Sequence, residues 1–176
     1  MNIATLTDIG LVKTSNQDRA YARQLDEDTH LFAVADGLGG QPGGEEAAQL
    51  VMDTLASFSL QEKEYLRQLE RLVLTANEAI INAGDINRVV YGLGSTATVV
   101  LLQGTAAYWV HIGDSRCYHY HAGQLVQVTV DQNLAGEMCA HGTISAAESA
   151  NHPLRNFLCQ CLGEDAIQPA SGFFTM

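Results

Sequence analysis

Two rhythms of apolar and polar positions run along this chain, one near a period of two residues and one near 3.6, and their order predicts the elements. Asn2 to Asp8 sets Ile3 and Leu6, with Ile9 following, loosely among polar neighbours. This suits a strand near a sheet edge, ended by Gly10. After the polar loop 11–19 comes a second strand candidate, Ala20 to Leu25. Leu31 to Ala35 is an unbroken apolar run, the mark of a buried strand, and it stops on Asp36, followed at once by Gly37-Leu38-Gly39-Gly40. Gly43-Gly44 then gives way to Glu45 and Glu46, acids in the first turn of a helix where the macrodipole favours them. Strand, carboxylate, glycine turn and helix together form the layout of a ligand site.

Ala47, Ala48, Val51, Met52, Leu55 and Phe58 recur at helical spacing. Leu66, Leu69, Val73, Ala76 and Ile80 repeat the pattern beyond a polar break from Ser59 to Lys63, with Gly84 near its end as a stop signal. Each stripe has one face to bury, so the two helices are expected to pack as an antiparallel hairpin across a sheet. From Ser95 the rhythm returns to strands: Thr96 to Leu102, Ala106 to Ile112, Arg116 to Tyr120 and Leu125 to Val130. Short turns between them imply antiparallel pairing, because parallel neighbours need a longer crossover. The helices enter as a block, which predicts an α+β fold and not a doubly wound parallel sheet. Beyond Asp131 the pattern loosens. Ser145 to Glu148 is a capping-box helix start stopped at His152-Pro153, Asn156 to Leu162 could be a strand or a helical turn, and Ala166 to Met176 has little character.

Length and charge narrow the function. A chain of 176 residues fits one domain, 1–176, with a single core. Nine Lys and Arg against twenty Asp and Glu give a net charge of −11, which repels nucleic acid and anionic membrane and attracts cations. Cys117, Cys139, Cys159 and Cys161 include no CxxC pair, so they read as reduced thiols of a cytoplasmic protein. No apolar run approaches the roughly 18 residues of a membrane span.

The candidate chemistry lies in acids beside glycines. Asp36 can hold a ligand that the unshielded backbone after it also approaches. Lys13 and Asp18 bracket a polar loop that either contacts an anion at Lys13 and a metal or water at Asp18 or is merely solvated. Asp114, in Gly113-Asp114-Ser115-Arg116, is either a second site acid or a self-capped turn. His119 and His121 share a strand face yet have no third metal ligand nearby. A nucleotide-binding reading of Gly37-Leu38-Gly39 and Gly43 would set Asp36 against pyrophosphate, charge against like charge.

Three motifs in order, Gly10-Leu11-Val12-Lys13-Thr14-Ser15-Asn16-Gln17-Asp18, Val34-Ala35-Asp36-Gly37-Leu38-Gly39-Gly40, and Gly94-Ser95-Thr96-Ala97 with His111-Ile112-Gly113-Asp114-Ser115-Arg116, resemble the bacterial type-2C metal-dependent serine/threonine protein phosphatases. The likeness continues through Asp131-Gln132-Asn133-Leu134 and His152-Pro153-Leu154-Arg155-Asn156. It implies an antiparallel β-sandwich flanked by helix pairs, with a dinuclear Mg2+ or Mn2+ centre that activates water against phosphoserine or phosphothreonine. Asp36 would bridge the metals, the Gly37 carbonyl would bind one, Asp18 would hold a water of the metal shell, and Asp114 would serve a third, weaker site. Lys13 stands where the family carries a phosphate-binding arginine, which keeps the charge but loses the fork. Relatives also supply two later aspartates, in a Ser-Asp-Gly turn and an Asp-Asn pair, that this sequence does not show. Two readings follow from the resemblance: a phosphatase acting on phosphoproteins of a serine/threonine kinase, or a pseudophosphatase that binds phosphoproteins or regulators. An incomplete sandwich is expected to leave exposed sheet edges open to self-association.

Overall fold

The computed structural model describes residues 1–39, 43–61, 63–86 and 93–176. Gly40 of the glycine turn and Glu62 of the inter-helix break lie outside them. The framework is an antiparallel sheet of strands β1 (Asp18–Gln24), β2 (Thr29–Leu38), β4 (Ala97–Gln103), β5 (Ala106–Ile112) and β8 (Ala170–Thr175), in that spatial order. A two-residue strand, β3 (Gly94–Ser95), extends it by pairing Ser95 with Gly37 and Gly94 with Leu38.

Burial along β2 alternates residue by residue. Leu31, Ala33 and Ala35 are buried, whereas Val34 is 40% exposed and Asp36 opens to solvent. The apolar run is therefore buried on one face only, because helices cover that side and little covers the other. Helices α1 (Gly43–Ser57) and α2 (Tyr65–Ile86) pack against each other and against β2 and β5, closing a core of Leu31, Val51, Leu55, Leu69, Ile80, Val99, Leu101 and Val110. Full burial of each large aliphatic side chain contributes about 1.5–3 kcal/mol. The α1 C-terminus is capped by Arg23, whose guanidinium donates to the Ala56 carbonyl at 2.6 Å and to that of Phe58. Gly84 lies near the end of α2, two residues before Ile86, where the sequence places its stop signal.

The opposite face carries a sparse layer. Its second sheet is the hairpin β6 (Tyr118–His121) and β7 (Gln124–Gln127), whose His119 packs on Phe174 of β8 with ring centroids 4.7 Å apart. The expected N-terminal strand is absent: residues 1–9 have no regular structure, and Leu6 is 91% exposed. This segment meets the sheet across its open face, lining a cleft with Phe32, Val34 and Val100, and forms no strand ladder. Local bonds take its polar groups instead: the Gly10 amide donates to Asp8, and the Asn16 side chain to the Thr7 hydroxyl. The antiparallel two-sheet plan is thus present, flanked by one packed helix pair, α1 and α2, and with its second sheet reduced to two strands.

After β7 come two short helices. Asn133 caps α3 (Leu134–Ala140) by accepting from the Gly136 amide, and Ser145 and Glu148 form the capping box of α4 (Ala146–Ala150) that the sequence predicts. Asn156 to Leu162 forms no element of its own, but Leu158 and Leu162 bridge to Asn133 and Ser95. The featureless tail contributes β8, paired along β5.

Candidate active site

The sheet register places Asp18 directly opposite Asp36, so both carboxyls rise from the same face at one end of β1 and β2. Asp36 is not the last residue of its strand, as the sequence suggested: β3 continues the pairing through Leu38, and the chain turns at Gly39, whose φ is +102°. The backbone of Asp36 is fully engaged. Its amide donates to the Thr96 hydroxyl at 2.9 Å, and its carbonyl accepts from the Thr96 amide at 2.9 Å and the Ser95 hydroxyl at 3.2 Å. Only its side chain is left to act.

That side chain is electrostatically loaded. Although Asp36 keeps an open side, its carboxyl is withdrawn from water, faces the negative charge of Asp18 and hydrogen-bonds with it. Asp114 adds like charge, Lys13 opposes it, and the net result raises the Asp36 pKa from 3.8 to about 6. Asp18, Asp36 and Ser115 line a cleft of about 350 Å3 with Leu6, Thr7 and Asp8. Asp8 is an acid of this cleft that the sequence reading did not single out, because an acid beside Gly10 looks like an ordinary turn residue.

Glycine brings the turn and α1 into contact. A Cβ on Gly37 would lie 1.9 Å from the Gly44 carbonyl oxygen, and one on Gly44 would lie 2.8 Å from the Gly37 oxygen. Arg19 ties β1 to the same helix through Glu45 at 2.8 Å.

Asp114 stands on the neighbouring loop. Burial raises its pKa, donation from the Asn133 side chain lowers it, and Asp131 and Arg116 exert opposite effects. Asn133 thus serves two masters, the α3 cap and Asp114. Arg116 grips Asp131 with two nitrogens, Nη2 to Oδ2 at 2.5 Å and Nε to Oδ1 at 2.8 Å. The Gln132 side chain accepts from the Gly113 amide at 2.8 Å. His111 is buried between Thr98 and the Val130 carbonyl, and burial lowers its pKa. His119 and His121 lie on the hairpin, stacked 5.8 Å apart. Among the described residues, no three His, Cys, Asp or Glu side chains converge as a preformed metal cage.

Comparison with known proteins gives this arrangement its class. The chain belongs to the protein phosphatase 2C family, whose model matches residues 12–158. It is 34% identical over 171 residues to the serine/threonine protein phosphatase PstP of Mycobacterium tuberculosis, covering 96% of this chain and 32% of PstP, so it spans about a third of that relative's length. It is 30% identical to a putative protein phosphatase 2C-type protein of Streptococcus pyogenes, covering 98% of this chain and 72% of that one. Among solved structures, the catalytic domain of PstP in complex with two manganese ions superposes with a TM-score of 0.83 at 31% identity, over 97% of this chain and 70% of that domain. The fold is therefore the α+β fold of this family, with antiparallel sheets and helices.

Proposed function

We propose that the chain acts as a metal-dependent phosphoprotein phosphatase, hydrolysing phosphoserine and phosphothreonine. The observation that carries this reading is the Asp18–Asp36 carboxyl pair, set across two strands at the wall of an open cleft. The donor chemistry fits a hard divalent cation: carboxylate oxygens, a glycine backbone beside them, and no soft ligand among the residues lining the cleft. Asp36 and the Gly37 carbonyl would hold Mn2+ or Mg2+, with Asp18 alongside and Asp114 serving a further ion. When bound, such cations acidify a water and offset charge on phosphorus oxygens. Asp36 must give up its proton to bind, which its raised pKa makes a pH-dependent step. Asp18 would accept a hydrogen bond from a water of the cation's shell. Lys13, exposed and near enough to act on Asp36, offers a point charge to substrate phosphate without the bidentate fork of arginine.

The test pairs calorimetry with turnover. Mn2+ binding and Mn2+-dependent hydrolysis of p-nitrophenyl phosphate are both expected, and Asp36→Asn is expected to abolish both while leaving circular dichroism unchanged. Unaltered Mn2+ affinity in that variant would sink the reading.

A second reading, a pseudophosphatase that binds phosphoproteins without turnover, draws on the absence of a converged cage among the described residues. Phosphopeptide binding without hydrolysis at millimolar Mn2+ would select it. Under either reading the partner is a phosphoprotein, and the outer strands β1 and β8 are where copies of the chain would associate.

A further inference from the structure

Cys159, Gln160 and Cys161 run between two backbone anchors. The Cys159 amide donates to the Gln132 carbonyl at 2.8 Å, and Leu162 exchanges hydrogen bonds with Ser95 at 2.8 and 3.2 Å. Both thiols are free and partly buried, and both line one cleft of about 310 Å3 together with Glu164. Each lies in the field of an acid, Cys159 in that of Glu137 and Cys161 in that of Glu164. Burial and these charges keep the protons on sulfur, which makes the pair slow toward oxidants. The same negative field favours a cation that takes the protons' place.

We propose that Cys159 and Cys161 form a binding site for a soft, thiophilic monovalent cation of the Cu+ type. Thiolates select such ions, and two of them complete a linear coordination sphere, whereas structural Zn2+ takes four ligands. Beyond the two thiols the cleft offers no further soft donor, Glu164 supplying only hard carboxylate oxygen, so the donor set matches the monovalent ion. Binding converts two thiols and one Cu+ into a dithiolate complex of charge −1 and releases two protons, with copper remaining Cu+ throughout. The site stands apart from the aspartates. Its backbone nevertheless touches both loops that support them, Ser95 through Leu162 and Gln132 through Cys159. It does not depend on the phosphatase reading.

Anaerobic titration of the whole chain with Cu+ buffered by bicinchoninate tests it. One tight site per chain and two protons released per ion are expected, with affinity falling more than about a hundredfold in Cys159→Ser and in Cys161→Ser, since even outer-shell losses reach that size. A Cys117→Ser/Cys139→Ser double variant is expected to bind as the parent does. Thermal unfolding without copper shows whether each variant is folded. Undiminished binding in a folded Cys159→Ser/Cys161→Ser chain overturns the proposal. So does a complex that requires Cys117 or Cys139, or a product lighter by two hydrogens with no copper retained.

Discussion

Asp18 and Asp36 face each other across β1 and β2 with their carboxyls in hydrogen-bonding contact, so the folded chain holds two acids where it tolerates one charge more easily than two. Folding tightens the Asp36 proton, from a pKa of 3.8 to about 6. A raised folded-state value contributes stability that is fully present below about 3.8 and is lost as pH rises through about 6. In the presence of chelator, the melting temperature of the parent is expected to fall relative to Asp36→Asn between about pH 4 and pH 7. A difference that does not change with pH would refute this account of the pair.

Cation binding has the opposite slope. Because the proposed ligand must lose its proton, Mn2+ affinity is expected to rise up to about tenfold per pH unit below 6 and to level off above it. Calorimetry in buffers of different ionisation enthalpy checks this through the protons released.

Arg116 and Asp131 form a two-pronged pair whose acid is only 13% exposed while the arginine side chain is 42% exposed. Removing the cation strands a shielded charge near Asp114. Arg116→Ala is expected to destabilise the fold by roughly 1–3 kcal/mol, and adding Asp131→Asn to recover most of it. Urea unfolding of the single and double variants provides the measurement; full additivity would show that the pair is not coupled.

Two glycines with positive φ separate conformational cost from collision. At Gly104, φ is +57° and a Cβ meets nothing within 4 Å; at Gly113, φ is +106° and a Cβ would lie 2.5 Å from the Thr96 methyl. Gly104→Ala is expected to cost about 1 kcal/mol and Gly113→Ala at least about twice that, with a disturbed Asp114 loop. Equal losses would mean that Thr96 yields freely.

Lys13→Arg is a gain-of-contact test of the proposed phosphate role. Restoring a bidentate fork is expected to lower KM for a phosphopeptide several-fold with kcat nearly unchanged, and Lys13→Ala to raise it. A change confined to kcat would place Lys13 elsewhere in the reaction.

Much of this was written in local patterns. The stripes from Ala47 to Phe58 and Leu66 to Ile80 gave both long helices, and the Ser145–Glu148 box gave α4, because caps and helical spacing act within a few residues. The N-terminal strand failed for a reason no local window contains: a strand needs an edge to pair with, and residues 1–9 meet a sheet face. β8 was missed for the converse reason, since Ala170 to Thr175 is weakly patterned and takes its form from β5. At the candidate site, the motifs marked Asp18, Asp36 and Asp114, and the register brings the first two together. What holds them was hidden. Ser95 and Thr96 fix the backbone of Asp36 from about sixty residues away, and Asn133 reaches Asp114 while capping a helix the sequence had not suggested.

A Cβ on Gly37 would strike only the main chain of Gly44, and one on Gly44 would strike the main chain of Gly37 as well as the Gln17 side chain, so even if Gln17 swings aside the two backbones still collide. Substitution at one cannot be rescued by shrinking the other, which is already the smallest residue there is. The two positions are thus locked as a pair: heredity can keep both or lose the joint between turn and helix, with no halfway sequence to pass through.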